Sequence, residues 1–174
     1  MASTSFVGCS GQKFSPSVID AKDGTGNFET LAEAVGAIPS TAKGRYTIYV
    51  KEGVYEENIT IDRKRSLSYL DEFQDVGCLI LNILLIAVVK ADNFIGKCMA
   101  FENALGKDKG QPMALMSEGE RSSFFLCELL LGYQDMLYVI DGRQFFRECD
   151  IYGTVGFIFG DAAMVSSKMQ LLFL

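Results

Sequence analysis

Twenty-two carboxylates and no histidine decide which chemistry is open to this chain. Without histidine, the Ser-His-Asp and Cys-His routes to an activated nucleophile are closed. Zinc and iron sites built on imidazole are closed as well. Acid–base work near neutral pH then falls first to carboxylates with shifted pKa values, and lysine, tyrosine and cysteine are less favoured. Cys9, Cys78, Cys98, Cys127 and Cys149 are scattered with no CxxC, so no metal knuckle and no metal site is expected. Their odd number leaves at least one thiol unpaired unless it bonds to another chain. The DGTG that starts at Asp23 is followed by no GK[ST], so it reads as a turn and not a phosphate loop.

One stretch poses a sharper question. In GTVGFIFGDA, from Gly153 to Ala162, FIF reads as a short apolar strand with a glycine at each end. Gly156 brings no side chain and costs about 0.5–1 kcal/mol of backbone entropy relative to alanine. Either the backbone requires a glycine there, or a side chain is missing.

The elements that must position these residues follow from periodicity. Residues 1–17 read as a loose, small-residue lead, and 18–174 as the folded domain. TLAEAVGAIP predicts a helix over 30–39: Leu31, Ala34, Val35 and Ile38 form one apolar stripe. Thr30 and Glu33 make a capping-box pattern, and Pro39 stops the helix. In RYTIYV, Tyr46, Ile48 and Val50 alternate with Thr47, Tyr49 and Lys51, the period of a half-buried strand. From Asn93 onward short apolar runs alternate with polar or glycine punctuation, which predicts an all-β solenoid or sandwich. The runs are nearly continuous, as expected of strands buried on both sides. Segment 63–92 differs in texture, fits neither a strand series nor a clean amphipathic helix, and resembles a reading-frame slip or retained non-coding sequence.

A net charge of −6 argues against nucleic acid as a partner, which would need a basic face. The apolar run LILNILLIAVV is broken by Asn82 and falls short of the ~20 residues of a membrane span. No signal peptide is visible, and NIT at Asn58 is a glycosylation sequon that weakly favours secretion.

Four motifs in order carry a resemblance: DGTGNFETLAEAVGAIP, RYTIYVKEGVYEENITI, GYQDMLY and RQFFRECDIYGTVGFIFGDA. Over roughly 18–62 and 93–170 the chain resembles the plant pectinesterases (pectin methylesterases), which carry YQDTLY and GTVDFIFG. The resemblance implies a right-handed parallel β-helix with one short N-terminal helix, incomplete in this chain. It implies hydrolysis of the methyl esters of pectin galacturonate, in cell-wall modification and pectin catabolism, without a cofactor. It also implies a secreted, cell-wall location, with methylated pectin as substrate and a pectinesterase inhibitor protein as a further partner.

By the same resemblance, Asp135 matches the general acid/base, while Gln134 and Gln111 match the donors around the oxyanion. A carboxylic acid beside a second carboxylate in a partly dry cleft keeps its proton more easily. The nucleophilic aspartate falls on Gly156, which can form no acyl-enzyme. Asp161 is too far along the strand to replace it and suits a turn. Tyr133, Tyr138 and Phe157 could line a sugar cleft, or fill the core of the coils. Arg143 and Arg147 could attract an acidic polymer, or form a solvated face. Met116 stands where the family has an arginine, and Met169 where it often has a disulfide cysteine opposite Cys127. The chain ends at Leu174, before the family's LGRPW motif and its arginine. Three readings follow: a family hydrolase with an impaired site, a non-catalytic pectin-binding β-helix, or a truncated gene-model product without stable function.

Overall fold

The computed structural model describes residues 6–7, 13–39, 45–62, 68–71, 81–83, 86–102, 113–130, 136–153, 156 and 158–173. Three parallel sheets run through them. The first holds β3 (Val18–Asp20), β4 (Tyr46–Val50), β7 (Ser68–Asp71), β10 (Ile95–Lys97), β13 (Ser122–Phe125), β16 (Arg143–Arg147) and β19 (Ala163–Ser167). The second holds β5 (Gly53–Tyr55), β8 (Leu81–Ile83), β11 (Ala100–Glu102), β14 (Glu128–Leu130), β17 (Asp150–Gly153) and β20 (Gln170–Phe173). The third holds β6 (Ile59–Ile61), β9 (Ala87–Val89), β12 (Leu115–Ser117), β15 (Leu137–Val139) and β18 (Ile158–Phe159). The chain visits the three sheets in turn, and each coil hydrogen-bonds in parallel to the next. This is the parallel β-helix that the motifs imply. A separate antiparallel pair joins β1 (Phe6–Val7) to β2 (Lys13–Phe14). Among the described residues no helix is long and apolar enough to cross a membrane.

Two expectations are corrected. Segment 63–92 contains β7, β8 and β9, which take their places in the three sheets with regular register. Backbone ladders do not depend on side-chain type, so an unfamiliar composition can still be threaded through a coil. The strands are also not buried on both faces. Ile48 and Val50 in β4, and Ala87 and Val89 in β9, are buried, while the residues between them are half-exposed. One wall of strands has one inside, and apolar residues outside shelter each other by stacking between coils.

The interior is filled by ladders of like residues. Phe124 stacks on Phe146 with ring centroids 4.8 Å apart and planes 9° apart, and Phe94 tilts against Phe124 at 5.5 Å. Gly96 leaves room for them, since a Cβ there would meet the Phe94 ring at 3.1 Å and the Phe124 ring at 3.3 Å. A buried polar network braces the corner between the third and first sheets. The Ser117 hydroxyl donates to Gln144 Oε1 at 2.8 Å, and Gln144 Nε2 donates to the Gly119 carbonyl at 2.8 Å. The corner between the first and second sheets turns on single left-handed residues, Cys98, Leu126, Glu148 and Lys168, with φ between 51° and 55°. The first three N–H groups of that set donate to the following coil, at 2.9–3.0 Å.

Helix α1 (Leu31–Gly36) is shorter than the predicted span. Its N-cap is as expected, with Glu33 N donating to Thr30 Oγ1 at 3.3 Å. The carboxylate expected from Glu33 comes instead from Glu57, whose two oxygens accept from Leu31 N at 3.2 Å and Ala32 N at 2.9 Å. A carboxylate at the positive end of a helix is stabilising. Leu31, Ala34, Val35 and Ile38 are buried on the core. Asp20, at the end of β3, is fully buried at 0% exposure, and neither carboxylate oxygen has a partner among the described residues. Burial, reinforced by the Glu57 and Glu33 carboxylates, pushes Asp20 up from 3.8 to about 7.

Candidate functional site

The strands that lead into and out of the motif residues belong mostly to the third sheet. β15 opens one residue after Met136, and β18 is preceded by Gly156. Inward residues of this sheet are Ala87, Leu115, Leu137 and Ile158, in register. The register therefore lines up an outward ladder of Thr60, Val88, Met116, Tyr138 and Phe159. At its last step Tyr138 stacks on Phe159, with centroids 4.3 Å apart and planes 14° apart. Beside this ladder Lys90 pairs with Glu118 at 3.4 Å, so the cation is locally neutralised.

Gly156 is exposed and has φ +62°, in the left-handed region that glycine enters freely. Gly160, just past β18, has φ +125°, and a Cβ there would strike the Val139 carbonyl oxygen. The two-residue strand is thus bracketed by backbone conformations suited to glycine. Both possibilities raised by GTVGFIFG have force: the backbone uses a glycine at 156, and that position offers no functional group.

The other site residues have different fates. Gln111, Tyr133, Gln134, Asp135 and Phe157 lie outside the described residues. Tyr138 takes the outward orientation that a cleft aromatic needs. Phe159, its stacking partner, was missed; period-two alternation around the inward Ile158 was the signal available in the sequence. Asp161 is exposed in the bend after Gly160. Arg143 Nε donates to Glu120 Oε1 at 2.6 Å, and its backbone N–H donates to Glu120 Oε2 at 2.9 Å. The guanidinium and these hydrogen bonds hold Glu120 below its usual range. Arg147 pairs with Glu148 at 3.5 Å. Both arginines belong to the first sheet, away from the Tyr138–Phe159 ladder, and form the solvated face. No group of metal-ligating side chains able to hold an ion is found among the described residues.

Fold and register together define a parallel β-helix whose third sheet carries an outer ladder ending in a stacked aromatic pair. The pectinesterase family model matches residues 17–70 and 85–173, and the chain belongs to that family. The match takes in both ends of segment 63–92, which the motif comparison had left out. A pectinesterase of Daucus carota is 40% identical over 163 residues, covering 86% of this chain and 50% of its own length. The pectinesterase/pectinesterase inhibitor PPE8B of Prunus persica is 39% identical over 165 residues, covering 88% of this chain and 31% of its own. The solved pectin methylesterase from carrot superposes with a TM-score of 0.84 at 34% identity, over 93% of this chain and 54% of that one. A pectin methylesterase solved in complex with a hexasaccharide gives a TM-score of 0.75 at 26% identity, over 91% of this chain and 55% of that one. The chain thus spans about a third to a half of the length of these relatives.

Proposed function

We propose that this chain is a pectinesterase-family β-helix whose third-sheet outer face meets methyl-esterified pectin, and whose hydrolytic site is impaired. The observation that carries the reading is Gly156. In the reaction implied by the family, one carboxylate attacks the ester carbonyl carbon. The methoxide then leaves with a proton from a second carboxylic acid, here Asp135, which afterwards activates water. Gly156 supplies no oxygen for the first step, so no acyl-enzyme forms and Asp135 has no leaving group to protonate. Gln111 and Gln134 remain as neutral donors for an oxyanion that is not generated.

The outer ladder favours the esterified form of the polymer. Met116, Tyr138 and Phe159 present neutral, partly apolar surface, and Lys90 is compensated by Glu118. A methylated galacturonate is uncharged and can lay its ring on such a surface, whereas a demethylated one would face a chain of net charge −6. The Tyr138–Phe159 stack therefore also favours the second reading, a binder without turnover. A secreted, cell-wall setting and an inhibitor protein as partner belong to the same proposal and rest on the family.

The test is methanol release from highly methylated pectin, run beside calorimetric binding of methylated and demethylated oligomers. The expected outcome is no methanol above blank. Turnover would overturn the impaired site. Preferential binding of methylated oligomers that is lost in Tyr138→Ala supports the ladder as the contact surface. Equal binding by the variant removes the ladder from the proposal.

A further inference from the structure

The sequon at Asn58 takes a defined place on the fold. Of Asn27, Asn58, Asn82, Asn93 and Asn103, only Asn58 is followed two residues later by a serine or threonine, with Ile59 between. Asn58 is the residue before β6, and both it and Thr60 are exposed, while Ile59 turns inward at 3% exposure. The residues on either side of Asn58 are held. Glu57 accepts from the first N–H groups of α1, and Ile59 N donates to the Ile86 carbonyl at 3.0 Å. The Asn58 side chain has a fixed direction as well. Its Oδ1 accepts from Ile86 N at 3.3 Å, which turns the oxygen toward the next coil. Nδ2, on the other branch of the planar carboxamide, is directed away from that coil and has no partner among the described residues. The atom that a glycosyl bond needs is therefore the free one, and such a bond leaves the hydrogen bond to Oδ1 intact.

β6 is the first strand of the third sheet and among the described strands pairs with β9 alone. Thr60 thus opens the outward ladder that ends in Tyr138 and Phe159. At about 4.8 Å per strand, Tyr138 lies about 14 Å from Thr60 and Phe159 about 19 Å. An oligosaccharide on Nδ2 stands at the β6 margin, clear of the stacked rings. It fills the space that a long polymer lying on the ladder would need in order to run on past that margin.

We infer that Asn58 carries an N-linked glycan that walls off the β6 end of the outer ladder. The wall, unlike the glycan itself, rests on the polymer-facing reading proposed above. In the transfer, Asn58 Nδ2 forms a bond to the anomeric carbon of a lipid-pyrophosphate-linked oligosaccharide. The bond from that carbon to the pyrophosphate oxygen breaks, the pyrophosphate leaves with the electron pair, and Nδ2 gives up one proton. Nothing is oxidised or reduced. Transfer takes place before the coils close, so the fold has only to accommodate the product, and a bulky polar group at an exposed margin meets that condition.

The experiment expresses the full chain behind a cleavable secretion signal in a glycosylating eukaryotic host. Glycans are removed with peptide-N-glycosidase in heavy-oxygen water, and tryptic cleavage after Lys51 and Arg63 isolates the peptide that holds Asn58. The expected result is a heavy-oxygen aspartate at position 58 in wild type and in Thr60→Ser, and none in Thr60→Ala. Translocated wild-type chains with a bare Asn58 overturn the site. Occupancy is read on chains in the membrane lumen as well as in the medium, so poor folding or export does not affect it. The wall is tested by calorimetry of glycosylated wild type and Asn58→Gln with short and long methylated galacturonate oligomers. Short oligomers should bind both alike, and long ones should bind Asn58→Gln several-fold more tightly. Equal affinities at both lengths overturn the wall. Binding by neither form strikes the polymer-facing reading, and the wall with it, while the occupancy result stands by itself.

Discussion

Asp20 carries a pH dependence that can be worked out from its surroundings. Its side chain is fully buried, and neither oxygen has a partner among the described residues. β3 pairs it with Val50 on one side and bridges it to Phe28 on the other, so neither neighbouring side chain offers a hydrogen bond. The Glu57 and Glu33 carboxylates raise its pKa further, while the nearby Ala21 N–H, itself donated to the Phe28 carbonyl, and Lys22 lower it. Burial dominates, and the pKa rises from 3.8 to about 7.

A raised pKa in a carboxylic acid means that the folded state holds its proton longer than the unfolded chain. Below 3.8 both states are protonated and Asp20 adds no pH dependence. Between 3.8 and about 7 the unfolded chain ionises first, and the fold loses about 1.4 kcal/mol per pH unit. Above about 7 both states are ionised and the loss levels off at roughly 4 kcal/mol, a large part of the 5–15 kcal/mol of a typical domain. At about 2–4 °C per kcal/mol for a chain of this size, that is a fall in Tm of roughly 8–16 °C. The assay is urea and thermal unfolding at several pH values from mildly acidic to mildly alkaline, on wild type, Asp20→Asn and Asp20→Val. Asp20→Asn should flatten the part of the profile that belongs to this group. Asp20→Val should gain most over wild type at the alkaline end. An Asp20→Asn profile with the wild-type slope would refute the reasoning, because the titrating group would then lie elsewhere.

Other outcomes follow from the packing. Phe124→Ala should cost about 3–5 kcal/mol, since it leaves Phe94 and Phe146 without the ring between them; a urea-midpoint loss below about 1 kcal/mol would contradict that core ladder. Gly160→Ala should cost more than about 2 kcal/mol, because its Cβ meets the Val139 carbonyl of the previous coil; an unchanged Tm would place the backbone of β18 differently. Gly156→Asp should lower stability by only about 1 kcal/mol, because aspartate tolerates the left-handed region better than most residues. A stabilised Gly156→Asp variant would count against the φ at that position.

Much of this protein is legible in its letters because the signals are local. The absence of histidine is a count, and it makes carboxylates the first candidates for acid–base chemistry before anything is folded. The Thr30 cap and the stripe of Leu31, Ala34, Val35 and Ile38 lie within one stretch of chain, so the start of helix α1 could be read, while its end, at Gly36, was placed too late. The motifs around Gly156 named a family because their order is linear. The rest depended on which residues lie above one another in successive coils, and no local pattern carries that information. The single-residue corners are made by Cys98, Leu126, Glu148 and Lys168, which advertise no turn. The coils differ in length, so register cannot be counted off as a repeat. The tertiary fold alone set Phe159 on Tyr138, brought Glu57 to the start of α1, and buried Asp20 with no hydrogen-bond partner among the described residues. It also stacked Cys127 on Cys149. In a β-helix the hydrogen-bonded backbone fixes the register, and side chains far apart in sequence become neighbours only once the coils have closed.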